Sequence, residues 1–223
     1  MPVSGPRPAP PRPRGRRRRP STYHHGDLAR ALAEESLLLL ERQGAEAFSL
    51  REAATRCGVA VSAAYKHYAS KAEVLHVVAD AGFQALWERM EQLSADAVLG
   101  KGSVKAAEAR LIAVGRAYIL FAVERPHLFK LMFGPHGVRG GRGDTRVDAP
   151  APKVSKALVA ALQAVIDAHA RLDVNVQDSK LFSWALVHGF STMIVDGVWN
   201  APNPATLERM IEEIGQAMVR TLR

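Results

Sequence analysis

The sequence has a single cysteine, no long apolar run and no secretory signal pattern. One thiol, Cys57, excludes an intrachain disulfide and any zinc site made of several cysteines, and we expect it to pack. No apolar segment approaches the roughly 20 residues that a bilayer-spanning helix needs. The basic N-terminus lacks the apolar stretch that follows the charges of a signal peptide. We therefore expect a cytoplasmic location.

Acidic residues are missing from the first 22 positions, which hold seven arginines and seven prolines. Of the net charge of +8, the remaining 201 residues therefore carry only about +1. A segment with so little to bury should stay disordered when free. Two readings of this arm stay open: it follows DNA phosphates or enters a minor groove, or it is a solvated tail or an artefact of start-codon choice. The arm residues predicted to bind DNA are Arg16, Arg17, Arg18 and Arg19.

Patterns typical of an enzyme are also missing from the 223 residues. The glycine-rich stretch GVRGGRG follows no strand pattern and lacks the order of a phosphate-binding loop. His24 and His25 are adjacent rather than four apart, and His136 has no obvious companion ligand, so we expect neither a metal nor another cofactor. The sequence predicts that the chain is not an enzyme.

The stretch from Phe48 to Leu75 reads as two short helices joined by a glycine turn. Ser49 is placed to cap the first helix, with Glu52 completing a capping box. Gly58 then supplies the positive φ that a sharp reversal requires. A second helix beginning near Ala60 has the width that fits the B-DNA major groove, which is roughly 12 Å wide.

Residues of this element divide by their expected contacts with DNA. Small side chains at Ala60 and Ser62 allow close approach to a groove, while Tyr65, Lys66 and Lys71 suit phosphate oxygens and fix register more than sequence choice. An apolar face is predicted for Val61, Ala64, Tyr65 and Tyr68. The residues predicted to contact DNA in this element are Ser49, Ala60, Val61, Ser62, Tyr65, Lys66, His67 and Lys71.

The order of these residues resembles a known family. Gly58, Val59 and the run from Tyr65 to Lys71 are similar to the G-V-S-x-x-x-x-Y-x-H-F-x-x-K pattern of TetR-type transcriptional regulators, and YHHGDLARAL resembles the opening of their first helix. Two departures occur: Ala60 replaces the usual serine, removing a cap worth about 1 kcal/mol, and Tyr68 replaces phenylalanine. The first could weaken operator binding, or the arm could compensate.

Helical periodicity continues through the rest of the chain, with almost no strand pattern. A loop rich in glycine, proline and charge is predicted over residues 134–152. The predicted helices are Asp27 to Gln43, Ser70 to near Gly100, Val104 to Val123, a short one from Pro126, Val154 to His169, Leu181 to Val195, and Leu207 to Leu222.

Two of these helices are predicted to form a homodimer interface. Val154 to His169 carries a continuous apolar stripe, and Leu181 to Val195 contains no formally charged residue. The residues predicted to lie in the interface are Leu158, Leu162, Val165, Leu181, Ala185 and Ile194.

The C-terminal half also resembles the TetR family, in the branch with a W-x-x-x-H-G signature, here Trp184, His188 and Gly189. The resemblance implies a small apolar or amphipathic effector and a homodimer on a palindromic DNA operator. Each candidate pocket residue has core packing as its alternative. The candidates are Trp87, Tyr118, Phe121, Trp184, His188 and Trp199.

The sequence thus predicts an all-α protein in three parts. Residues 1–22 form the basic arm, residues 23–70 a three-helix helix-turn-helix domain, and residues 71–223 a helical effector-binding and dimerisation domain. The chain is predicted to be a transcriptional regulator that binds a specific, two-fold symmetric DNA site, and repression is favoured over activation. A small molecule is predicted to release the protein from that site. The alternative is an architectural protein that binds DNA without sequence preference through the arm.

Overall fold

The computed structural model describes residues 25–97, 103–134, 150–170, 173–199 and 203–222. These residues form nine α-helices and no strand, which confirms the all-α prediction. None of these helices is both long and apolar enough to cross a membrane. The arm with Arg16 to Arg19 lies outside the described residues, as do His24, Gly100 and His136. The helices are α1 His25–Ala47, α2 Leu50–Arg56, α3 Val61–His67, α4 Lys71–Asp96, α5 Val104–Glu124, α6 Pro126–Phe133, α7 Pro150–Ala168, α8 Val176–Val195 and α9 Pro204–Arg220.

Helix α1 breaks at Gly44, where the helix was predicted to stop. Gly44 has φ 78° and ψ 170°, a conformation that is essentially open only to glycine. A final turn follows the break and brings Phe48, which is buried, into the core. The glycine therefore redirects the chain between α1 and α2.

Helix α5 occupies the centre of the C-terminal bundle, where it contacts α4, α6, α7, α8 and α9. Leu111, Ala117 and Ile119 of α5 are completely buried. Because this helix is covered on nearly every side, its sequence is apolar well beyond one face, as burial of all sides requires.

The ends of the helices follow local signals. Pro126 lies in the first turn of α6, as predicted, because a proline there loses no hydrogen bond that the helix needs. Helix α7 begins at Pro150, within the segment predicted to be a loop, for the same reason. Helix α8 begins at Val176, earlier than predicted, because Asn175 Oδ1 accepts hydrogen bonds from the amides of Gln177 and Asp178 at 2.8 and 3.4 Å.

The α7 part of the predicted dimer interface is covered within the protomer. Leu158, Leu162 and Val165 are buried within the protomer, since α7 packs against α4, α5 and α8. Ile194 on α8 is also buried. An apolar stripe at helical spacing shows that a helix is covered, but the covering element here is the same chain. Only Leu181 and Ala185 of the predicted set are exposed.

Candidate DNA-reading surface and effector cavity

Helices α2 and α3 are joined by a glycine-capped turn. The amide of Gly58 donates to Thr55 O and the amide of Val59 donates to Ala54 O, both at 3.0 Å. This pair of bonds is a Schellman motif, which needs a residue at positive φ, and Gly58 has φ 71°. The predicted reversal at Gly58 is thus confirmed.

Small side chains let the two helices approach each other. Ala53, Ala54 and Ala64 are completely buried where the helices and α1 meet. Tyr68 is also buried, and its hydroxyl donates to Ala29 O of α1 at 2.9 Å. These contacts hold one face of α3 against α1. The opposite face of α3 is exposed.

The capping box predicted for α2 does not form. Ser49 has the extended backbone of a cap, with φ −133° and ψ 124°, but its side chain accepts no hydrogen bond from the helix. The Glu52 carboxylate instead accepts from Gln43 Nε2 at 3.3 Å and from Arg56. These bonds hold the pKa of Glu52 below its usual range. Competition from Gln43 and from Arg56, one turn along, draws Glu52 away from the cap.

Side-chain capping occurs instead at the start of α4, in a variant of the capping box. Ser70 Oγ accepts from the amide of Glu73 at 3.1 Å, and the Glu73 carboxylate accepts from the amide of Ala69. Lys71, in the first turn, donates to Glu46 O at 3.0 Å and lies 5.9 Å from the centre of the Phe48 ring. Lys71 therefore links the start of α4 to the end of α1.

The outward face of α3 carries polar and small side chains. Ser62 and Lys66 are exposed, and Tyr65 is 49% exposed. The prediction that Tyr65 belongs to the apolar face is wrong, because Ala64 and Tyr68 cover that face. The Tyr65 hydroxyl lies on the outward face, where a phosphate oxygen could reach it. Ala60 is exposed at the start of the helix, whereas Val61 and His67 are half-buried.

Cys57 packs beside the turn. Its thiol lies 3.6 Å from Ala31 O, and it is half-buried. Burial raises the pKa of Cys57, and the nearby Glu35 carboxylate raises it further. Both effects disfavour the thiolate, which supports the predicted packing role over redox chemistry.

A cavity of about 470 Å³ opens in the C-terminal bundle, lined by residues from α4 to α9. Its surface is mostly apolar. The aromatic residues that line it are Phe83, Tyr118, Phe133 and Trp184, and the side chains with polar ends, apart from Tyr118 and Trp184, are Ser155, Gln177 and Lys180.

Tyr118, in the wall of this cavity, forms a polar pair with His188. The Tyr118 hydroxyl lies 2.8 Å from His188 Nδ1, and the His188 ring stacks on Trp184 with centroids 5.2 Å apart. Burial raises the pKa of Tyr118 well above its ordinary value, so the hydroxyl keeps its proton. The Tyr118 hydroxyl can therefore donate to His188 Nδ1 inside this aromatic cluster.

Helix α6 lies between this cavity and α1, the first helix of the chain. Met132 and Phe133 at its end line the cavity. At its start, Arg125 Nε lies 2.5 Å from Glu41 Oε1 of α1. Because this short helix lines the cavity and also contacts α1, a shift of α6 would change the shape of the cavity and the position of α1.

Both halves of the chain match family models. Residues 32–78 match the model of the bacterial regulatory proteins of the tetR family. Residues 111–218 match that of the tetracyclin repressor-like C-terminal domain.

The chain belongs to the TetR family.

Solved structures of similar fold cover nearly the whole chain. A protein of unknown function from Rhodococcus sp. RHA1 is 27% identical, with a TM-score of 0.64 over 91% of this chain and 96% of that one. The TetR family transcriptional regulator PfmR from Thermus thermophilus is 19% identical, with a TM-score of 0.58 over 85% and 97%. A regulatory protein of the tetR family from Rhodococcus RHA1 is 15% identical, with a TM-score of 0.57 over 86% and 96%. No curated protein matches the sequence.

Membership of the TetR family makes this chain a transcriptional regulator with a helix-turn-helix. Regulators of this family bind DNA as dimers and are not enzymes, so the prediction against an enzyme is confirmed by the family.

Two of the six predicted pocket residues, Tyr118 and Trp184, line the cavity of this TetR-family chain, and His188 supports both. The other three do not line it. Trp87 lies under Lys153 Nζ at 4.7 Å, Phe121 is buried in the core, and Trp199 packs on Phe190. Aromatic residues on one helix point in several directions. Their spacing in the sequence does not show which of them faces a cavity.

Sequence reasoning missed Phe83, Phe133, Ser155, Gln177 and Lys180. The first two belong to stretches that read as ordinary apolar helix, and they reach the cavity only because α4 and α6 flank it. Lys180 had a visible signal: it is the charged residue immediately before the uncharged stretch from Leu181 to Val195.

Proposed function

We propose that this TetR-family protein is a homodimeric repressor that binds a palindromic operator and leaves it when a small molecule fills the cavity. The observation that carries the proposal is the joint presence of an outward-facing α3 and an apolar cavity, both in contact with elements of one continuous core. Such a cavity is the size of ligand sites, roughly 300–1,000 Å³.

In this proposal α3 enters the major groove. Ser62 and Val61, near its start, meet base edges, while Tyr65 and Lys66 meet phosphates. Ser49, Ala60, His67 and Lys71 surround the same surface. Two copies would place their α3 helices in successive major grooves, about one helical turn apart. The arginine arm would add phosphate or minor-groove contacts.

The test of this function is competition between duplexes. Genomic footprinting of bound sites would identify the operator. An operator binder should keep a specificity ratio of about 10³ or more over bulk DNA, whereas an architectural protein would lose to bulk DNA. Deletion of residues 1–19 tests the arm: an unchanged salt slope would exclude it from the mechanism.

Replacing Ser62 with glutamine is expected to change which operator is preferred. A glutamine here can make a bidentate contact with adenine, which is worth about 1–3 kcal/mol of discrimination at one position of each half-site. Competitive binding to a library of duplexes would measure the change. A uniform loss on all sequences would contradict the placement of Ser62 at base edges.

Replacing Lys66 with alanine is expected to weaken binding equally on all sequences. Loss of one phosphate contact per subunit should lower the slope of log K against log salt by about 1 for each half-site. Titrations at several salt concentrations would measure the slope. Lys105→Ala, an exposed charge on the first turn of α5, is the control and should leave the slope unchanged. A sequence-dependent loss at Lys66 would show that it reads bases.

The dimer in this proposal forms through the outer face of α8. Leu181 is 65% exposed and Phe182 is 46% exposed, and Ala185 follows on the same face. Exposed apolar side chains grouped on one helix commonly mark an interface with another protein. This surface keeps Leu181 and Ala185 of the residues predicted from sequence and leaves out Ile194 and the α7 residues.

Release from the operator would pass through α6. An effector pressing on Met132 or Phe133 would move α6 against α1, changing the separation of the two reading helices. By linkage, DNA must weaken effector binding by the same factor, typically about 5- to 150-fold. Equal effector affinity in calorimetry with and without operator would contradict this switch.

Arg125→Gln is expected to reduce that coupling. It removes the guanidinium that joins the start of α6 to Glu41, and such changes modulate coupling by about 0.5–2 kcal/mol. The measurement uses any compound that weakens operator binding by the wild type tenfold or more. The factor by which the same compound weakens operator binding by the variant is then compared with the wild-type factor. The control, Arg116→Gln, removes a more exposed ion pair, between Arg116 of α5 and Glu208 of α9. A loss of coupling in both variants would argue against a specific path through α6.

A further inference from the structure

We propose that the effector is an amphipathic carboxylate, with its apolar part inside the cavity and its carboxylate at Lys180. The inference rests on the proposed function of the cavity as the effector site. It adds the chemical class of the molecule and the residue that selects it.

The interior of the cavity selects for an apolar body. Aromatic rings from α4, α5, α6 and α8 form much of its wall, and no acidic side chain lines it among the described residues. Met90, Met132 and Met218 also line it. Their flexible thioethers adapt to ligands of different shape, which favours a chain or ring of carbon over a molecule with many polar groups.

Lys180 is the only formally charged residue among the described residues that line the cavity. Within the same part of the chain, no carboxylate forms an ion pair with it. Its ammonium group is therefore a positive charge beside an apolar surface without an acidic partner from these residues. An anion supplies that partner, a neutral ligand leaves the charge as it is, and a cationic ligand adds repulsion.

Two of the polar residues that line the cavity are neighbours on α8. Gln177 and Lys180 are three residues apart on α8, so their side chains are neighbours on the helix surface. Ser155, on α7, lines the same cavity. One cation with an amide and a hydroxyl suits a single carboxylate head group, which can accept several hydrogen bonds.

Trp184 lies one turn beyond Lys180 on α8 and also lines the cavity. A head group at Lys180 would therefore bring the attached carbon chain past the indole ring. The indole gives a direct optical signal of occupancy that needs no DNA.

The test compares three probes of equal chain length: octanoate, 1-octanol and octylamine. Binding to the full-length protein without DNA is followed by tryptophan fluorescence, to which Trp87 and Trp199 contribute besides Trp184, and by calorimetry. Octanoate is expected to bind about tenfold or more tightly than 1-octanol, since charge-assisted hydrogen bonds are the stronger ones. Octylamine should bind least well.

Two variants locate the selectivity. Lys180→Gln should remove the preference for octanoate over 1-octanol, and Lys180→Glu should shift the preference to octylamine. Lys105→Gln makes the same charge change on α5 and should keep the wild-type order. Equal binding of octanoate and 1-octanol by the wild type, or an unchanged preference in Lys180→Gln, would overturn the inference.

Operator binding in the presence of octanoate separates this inference from the function on which it rests. Lys180-dependent octanoate binding that leaves operator affinity unchanged would support the assigned site and contradict its role as a switch. Failure of all three probes to bind would overturn the inference and leave operator recognition by α3 untouched.

Discussion

Leu162→Ala is expected to lower the free energy of unfolding by about 3 kcal/mol, within the range of roughly 2–5 kcal/mol for buried leucines. Leu162 is completely buried in the middle of α7, where that helix packs on its own protomer. The substitution removes apolar contacts and leaves a cavity that the surrounding helices only partly fill. Urea unfolding at a fixed protein concentration would measure the loss.

Leu181→Ala is the matched control for Leu162→Ala. It deletes the same atoms from a side chain that is 65% exposed, so the protomer should lose little stability. In the proposed dimer, Leu181→Ala should instead shift the monomer–dimer equilibrium, measured by sedimentation. If Leu162→Ala weakened the dimer while the protomer kept its stability, α7 would belong to the interface.

Gly44→Ala is expected to lower the free energy of unfolding by about 2–3 kcal/mol, the cost of holding a side chain in a region of backbone space that only glycine occupies freely. With φ 78° and ψ 170°, the break in α1 has no relaxed equivalent for alanine. An added Cβ would also lie 3.2 Å from His127 Nδ1 of α6. Thermal and urea unfolding would measure the effect.

Gly58→Ala is the comparison for Gly44→Ala, at a second glycine with positive φ. Gly58 also has positive φ, at 71°, but a Cβ there would meet nothing within 4 Å. It should cost only about 1–2 kcal/mol, the left-handed backbone penalty. A loss at Gly44 no larger than at Gly58 would show that the break in α1 tolerates a side chain.

The helix-turn-helix was predictable from sequence because its signals are local. A glycine at the end of a short helix, small residues at the helix crossing and a cap before the next helix act over a few positions. Gly58, Ala54 and Ser70 all do in the structure what their neighbours in sequence imply.

Local reasoning was wrong where two partners competed for one group. The Glu52 carboxylate could complete a cap at Ser49 or bind Gln43 and Arg56, and the position of Gln43 depends on how α1 packs. By spacing, Tyr65 could belong to the apolar face of α3, but in the structure Ala64 and Tyr68 occupy that face and Tyr65 is exposed. Neither choice can be read from spacing alone.

The sequence by itself determined the helices, the glycine turns and the family, because periodicity and capping depend on residues a few positions apart. Only the tertiary structure decided what covers each apolar stripe and where a space is left. Leu162 and Leu181 both lie on apolar helices, yet one is buried by its own chain and the other is exposed. The cavity beside Lys180 exists because side chains from several helices, far apart in the sequence, do not fill the volume between them.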